Sequence, residues 1–149
     1  MRLTLAHVGD RPGKRDAFDA ITTDYVERCS AFAQCETRAF PTEAGLLDWL
    51  DRQKGRTPAV AVFFDSRGRQ MSSEAFAGWL GERRDQGTQH IVPAIGPANG
   101  WSSAARGRAQ LLLSLGPWTL PHALARLVVA EQLYRAFTIL SGHPYHCGH

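Results

Sequence analysis

The residue types able to do chemistry gather in the carboxyl-terminal half of this chain. The last residues, His143-Pro144-Tyr145-His146-Cys147, set imidazoles, a phenol and a thiol side by side, with Pro144 fixing how the chain enters them. An imidazole titrates around neutrality and can take or give a proton, and a phenol can stack on an aromatic base or hydrogen-bond to it. Arg135 lies upstream in Glu131-Gln132-Leu133-Tyr134-Arg135. Its guanidinium either offers charge to an anionic group or forms an i,i+4 pair with Glu131, a common pairing on helices. His122 and Arg126 are also one turn apart. A second set consists of bends carrying glycine: Gly96-Pro97-Ala98-Asn99-Gly100 and Leu115-Gly116-Pro117-Trp118-Thr119-Leu120. Glycine lacks a Cβ and tolerates positive φ, so backbone amides and carbonyls there can approach a ligand; the alternative is that these glycines merely turn the chain.

Two other motifs are decoys. Gly9-Asp10-Arg11-Pro12-Gly13-Lys14-Arg15 mimics a phosphate loop, yet it is one residue short between its glycines and has Arg15 where a hydroxyl should hold magnesium. Nucleoside triphosphate binding is therefore not expected. His143, His146, Cys147 and His149 are zinc-ligand types, but neighbouring His and Cys on a short tail rarely converge tetrahedrally, so no metal is expected.

The elements that must position these residues follow from patterning. The chain has 149 residues, 44% of them hydrophobic and 21% charged, which suits one compact domain over 1–149 and excludes a disordered or collagen-like chain. Seventeen Lys and Arg against fourteen Asp and Glu leave +3, which permits a polyanionic partner without demanding one. No apolar run approaches the roughly 20 residues of a membrane span, and Arg2 is not followed by a signal-peptide core, so a soluble cytoplasmic protein is expected. Three cysteines, Cys29, Cys35 and Cys147, are too few and too irregular for a disulfide framework.

Leu3, Leu5 and Val8 mark an opening strand. Ala17, Phe18, Ile21, Tyr25 and Val26 recur at helical spacing, and Cys35 to Phe40 reads as a second strand stopped by Pro41. Thr42 and Glu43 open a helix with Leu46, Leu47 and Leu50. Ala59 to Phe64 is a continuous apolar run, as in a parallel strand covered on both faces, followed by an Asp65-to-Arg69 loop. Ser72 or Ser73 caps a helix with Phe76, Trp79 and Leu80, and His90 to Ile95 is another strand. This alternation predicts an α/β domain with a mostly parallel sheet and a ligand site beyond the carboxyl ends of its strands. After Leu111-Leu112-Leu113, a helix from about Pro121 to Leu140 carries apolar residues on more than one face, a surplus that suggests a subunit interface.

Ile95-Gly96-Pro97-Ala98-Asn99-Gly100, Thr119-Leu120-Pro121-His122, Glu131-Gln132-Leu133-Tyr134-Arg135-Ala136 and His143-Pro144-Tyr145-His146 resemble, in order and spacing, the RlmH family of bacterial ribosomal RNA methyltransferases. The resemblance implies a SPOUT-type α/β fold with a C-terminal trefoil knot, S-adenosylmethionine as methyl donor and a homodimer. It further implies N3 methylation of a pseudouridine in large-subunit ribosomal RNA within the ribosome. By resemblance, Phe64, Gly96, Leu115, Gly116, Pro117, Trp118, Thr119 and Leu120 fall at cofactor-contacting positions. Arg135, Tyr145 and His146 fall on the substrate side, with the tail completing a site shared between subunits. His122, at a helix start, suits capping of loop carbonyls as well as contact with RNA. Two positions depart from the family pattern. Pro97 replaces a second glycine and removes an amide donor, and Cys147 replaces a basic residue, an expected loss of one phosphate contact.

Overall fold

The computed structural model describes residues 1–9, 11, 16–53, 55 and 57–147. Five strands alternate with helices: β1 (Arg2–Val8), α1 (Ala17–Cys29), β2 (Gln34–Phe40), α2 (Glu43–Asp51), β3 (Val60–Arg69), α3 (Ser73–Asp85), β4 (His90–Ile95), α4 (Ser103–Arg108), β5 (Leu111–Leu113) and α5 (His122–Ser141). A 3-10 turn over Pro144–His146 ends the described chain. All pairs are parallel, in the order β2-β1-β4-β3-β5. The residues Gly13, Lys14 and Arg15 of the rejected phosphate loop lie outside the described residues.

Side chains alternate across the sheet, and each face meets its own helices. Leu3, Leu5, Val62, Ile91 and Ile95 pack with Val26, Leu80, Val129 and Leu133 of α1, α3 and α5. Ala6, Ala61, Phe63, Val92 and Ala94 face the other way, against Leu46, Leu50, Trp101 and Ala105. A period-2 pattern that is apolar on both phases makes a sheet covered on both sides. Helix starts are fixed locally: Asp16, Thr42, Ser72 and Ser102 each accept a backbone amide of the following first turn.

The structure differs from the sequence reading in two places. Asp65 to Arg69 is not a loop, because β3 continues to Arg69 through a register shift and pairs again with β5 at Leu113. The close approach of the two backbones requires Gly68, where a Cβ would lie 2.7 Å from the Leu112 carbonyl carbon. On α1, Phe18 and Ile21 are exposed, while Asp19, Thr22, Val26 and Cys29 form the buried stripe. A short helix, α4, joins β4 to β5; Ser102 caps it.

A polar chain centred on buried Thr4 and His90 runs across the sheet. Arg2 Nη2 donates to His90 Nδ1 at 3.1 Å, which leaves the proton on Nε2, facing Thr4 Oγ1 at 2.9 Å; Thr4 in turn donates to Glu36 at 3.1 Å. Burial, aided by the Arg2 charge, pushes His90 down to about 4 from 6.5. Between those values the unfolded chain binds a proton that the fold excludes. The stability held by neutral His90 is therefore complete above pH 6.5 and is lost as pH falls from there towards 4. Urea unfolding of the parent and of His90→Gln over this window should show the parent losing up to about 3 kcal/mol more than the variant.

Candidate functional site

The strands β4 and β5 end beside Phe64, where the register of β3 shifts, and the segments that leave them form one cleft with that part of β3. One lobe, of about 380 Å³, lies between Phe64, Ile95, the 98–100 turn and the whole 114–120 segment. The adjoining lobe, of about 440 Å³, runs from Phe64, Asp65 and Leu120 to Gly96, Trp101 and His122. All eight residues assigned by resemblance to the cofactor line this cleft: Phe64 and Leu115 to Leu120 in the first lobe, and Gly96 in the second. Leu115 and Trp118 leave apolar surface uncovered at its mouth, Trp118 with 84% of its surface exposed.

Its walls are built by long-range contacts. The Trp101 ring stacks on Phe63 at 4.1 Å and donates its indole N–H to the Phe64 carbonyl at 2.9 Å. Gly96 lies against that ring, so a Cβ there would sit 2.7 Å from the indole. The requirement for glycine at 96 is thus a close approach, whereas Gly100 and Gly116 supply the positive φ values, +89° and +111°. The Gly100 amide closes the turn onto the Pro97 carbonyl at 2.8 Å. Asp65 accepts from Arg106 at 2.9 Å. Burial raises its carboxyl, but the Arg67 amide and the Arg106 guanidinium outweigh it, and Asp65 stays below the usual carboxylate range. Ser102 is tied to Glu43 through both its amide and its hydroxyl, at 2.8 and 2.6 Å.

The beginning of α5 adds a polar contact. His122 Nδ1 receives Arg126 Nη1 at 2.6 Å, so its Nε2–H points to the Gly96 carbonyl, at 3.0 Å. Arg126 Nη2 pairs with Asp19 of α1. Both Asp19 and Arg126 are buried. Burial and the Arg126 charge push His122 below its ordinary value, while the carbonyls of Gly96 and Val8 pull the other way.

The three substrate-side residues form a separate cluster. Arg135 donates to Glu131 Oε1 through Nε and Nη2, at 3.0 and 2.6 Å, so the i,i+4 pair is made. Tyr145 also reaches Glu131 Oε1, at 3.0 Å, and its hydroxyl lies 3.2 Å from that of Tyr25. Burial, then Tyr25 and Glu131, raises the Tyr145 phenol above its usual value and keeps it protonated. His146 Nδ1 accepts from Arg135 Nη1 at 2.9 Å and its Nε2 faces Glu74 of α3 at 2.8 Å. The tail is docked, with the Tyr145 ring under the Arg135 guanidinium and edge-on to Tyr134. From Ala125 at the cleft to Arg135 is roughly 15 Å along the helix at 1.5 Å per residue. One protomer therefore keeps its cleft and its tail apart.

A family model described as "Predicted SPOUT methyltransferase" matches residues 1–146. The chain belongs to the SPOUT methyltransferases. It is 45% identical over 149 residues to the ribosomal RNA large subunit methyltransferase H of Koribacter versatilis, covering all of both chains. The protein of the same name from Brucella ovis is 51% identical over 88 residues, 59% of this chain and 52% of that one. Among solved structures, the SpoU methyltransferase AviRb from Streptomyces viridochromogenes, in complex with AdoMet, superposes with a TM-score of 0.51. That alignment is 15% identical and spans 95% of this chain and 61% of AviRb, a likeness of fold.

Several residues that shape the cleft or hold the tail are not marked as such in the sequence. Asp19 meets Arg126 only because α1 and α5 pack together, although an acidic residue in phase with Thr22, Val26 and Cys29 is a detectable signal. Trp101 and Glu74 give no local sign of their partners. Among the described residues no group of three His, Cys, Asp or Glu could hold a metal; His149 lies outside them. Because the Trp101 ring is held by both stacking and a hydrogen bond, it cannot yield to a methyl group. Gly96→Ala should lower stability by about 1–3 kcal/mol, read as a drop in the thermal unfolding midpoint.

Proposed function

We propose that this chain is a homodimeric, S-adenosylmethionine-dependent methyltransferase acting on N3 of a pseudouridine in large-subunit ribosomal RNA, in the cytoplasm, with the ribosome as its substrate. The observation that carries this reading is the cleft beside β3 at the ends of β4 and β5, in a chain 45% identical end to end to a ribosomal RNA large subunit methyltransferase H. Uncovered Leu115 and Trp118 suit the adenine of the donor, and the glycine-bearing 96–100 and 114–120 segments suit close backbone contact with its polar edges. The bound donor would supply an electrophilic methyl group. The C-terminal knot belongs to the same proposal, supported by the return of 114–120 against 95–100.

Methyl transfer to a ring nitrogen is chiefly alignment and proton removal. Arg135 stabilises the deprotonated base or a neighbouring phosphate. Tyr145, kept protonated, donates a hydrogen bond to the base, and His146 takes the imide proton once RNA displaces a present partner. The separation of tail and cleft along α5 supports a partner's tail closing each site. So does the unpaired apolar face made by Ile21, Leu124, Leu127 and Val128. Among the described residues no helix is long and apolar enough to cross a membrane.

Ribosomes from a strain lacking the modification, incubated with protein and donor, should gain N3-methylpseudouridine by mass spectrometry; unmodified RNA in the presence of bound donor would reject the substrate. Arg135→Ala and Leu115→Arg should each be inactive alone. Mixed and re-equilibrated one to one, they should recover about a quarter of parental activity, because half the dimers then hold one intact composite site. No recovery would reject the shared site.

A further inference from the structure

The strongest unused feature is the polar chain that runs from α1 to the cleft. Asp19 and Arg126 are 7% and 8% exposed and paired, Arg126 holds His122 at 2.6 Å, and His122 reaches the Gly96 carbonyl at 3.0 Å. The His7 ring makes a further, T-shaped contact with that of His122, 5.5 Å between centroids. A buried ion pair gains little stability over apolar packing, and its best-attested use is to fix one arrangement among several. Here the arrangement fixed is that of the cleft wall. Arg126 can only donate, so it dictates which imidazole nitrogen carries the proton, and that proton is the one offered to Gly96. Asp19 in turn holds Arg126 in place.

We propose that His122 is a positioning residue for the methyl donor: the Asp19–Arg126–His122 chain fixes its tautomer so that Nε2–H anchors the Gly96 carbonyl and sets the 96–100 turn in the shape that admits the donor. This inference rests on the cofactor proposed above. Pro97 sharpens the need, because a proline cannot supply an amide at the next position to tie the turn down. The turn is then held by the Gly100 amide on the Pro97 carbonyl, the Trp101 ring and the His122 bond.

Two substitutions divide the roles. Asparagine in place of His122 still offers an acceptor to Arg126 at the position of Nδ1 but does not reach Gly96. Glutamine extends as far as Nε2 and can donate to that carbonyl. Calorimetry with S-adenosylhomocysteine should give a dissociation constant about tenfold weaker for His122→Asn, the loss of one hydrogen bond that holds a binding segment. His122→Gln should remain within about twofold of the parent, at an unfolding midpoint matching that of the Asn variant. Hydrogen exchange at the Gly100 amide should accelerate in the Asn variant alone, a readout independent of ligand. Equal affinities for the two variants, whether both parental or both weakened, or equal exchange at Gly100, would overturn the anchoring role. A parent that binds no S-adenosylhomocysteine would overturn the cofactor proposal itself, and this inference with it, while leaving the Gly100 exchange comparison to report on the turn.

Discussion

Two side chains meet at Gly96, and the cleft takes its shape from that meeting. Trp101 lies against the α-carbon with no room for a methyl group, and His122 holds the carbonyl. One comes from the segment that leaves β4, the other from the first turn of α5, so a single residue ties the 96–100 turn to that helix. The same tryptophan stacks on Phe63 and binds the Phe64 carbonyl, which carries the constraint into β3. Two strands, β3 and β4, and one helix are therefore registered against one another at the carboxyl edge of the sheet.

Much of the fold was legible in the sequence because burial on both faces leaves a plain trace. Ala59 to Phe64 and His90 to Ile95 are apolar on both phases of the strand, and they occupy the middle of the sheet. The extension of β3 was not legible. Asp65-Ser66-Arg67-Gly68-Arg69 has the composition of a turn, and only pairing with β5 makes it a strand. The exposed Phe18 and Ile21 misled for a related reason: on α1 the buried stripe carries Asp19, whose partner lies more than a hundred residues away. Residues of the cleft wall were legible through family resemblance, and the tail through its chemistry. The place of His122 at a helix start pointed to a loop carbonyl, but that the carbonyl is Gly96, or that His146 meets Glu74, is tertiary and leaves no local pattern.

The long helix α5 divides the labour of the protomer. Its start serves the cleft through His122 and Arg126, while its middle and later turns gather Glu131, Arg135 and the docked tail. On another side of the same helix, Leu124, Leu127 and Val128 lie beside Ile21 of α1. Glu131 is the hub of the tail cluster, accepting from Arg135, Tyr145 and Gln132. A single carboxylate thus orients both a cation and a phenol, and it is a helix residue, so their orientation is set by the rigid element and not by the terminus.

The strand order has a consequence for synthesis of the chain. β1 can pair with β2 early, since Arg2 to Val8 and Gln34 to Phe40 are separated only by α1, but its other edge is filled by β4, and β4 ends at Ile95. At the roughly 5–20 residues per second of translation, that edge stays bare for several seconds while β3 and α3 emerge. An apolar strand with an open edge is a template for mispairing. The nascent chain is thus most vulnerable midway through its own translation, the interval in which a chaperone that shields strand edges would help it most.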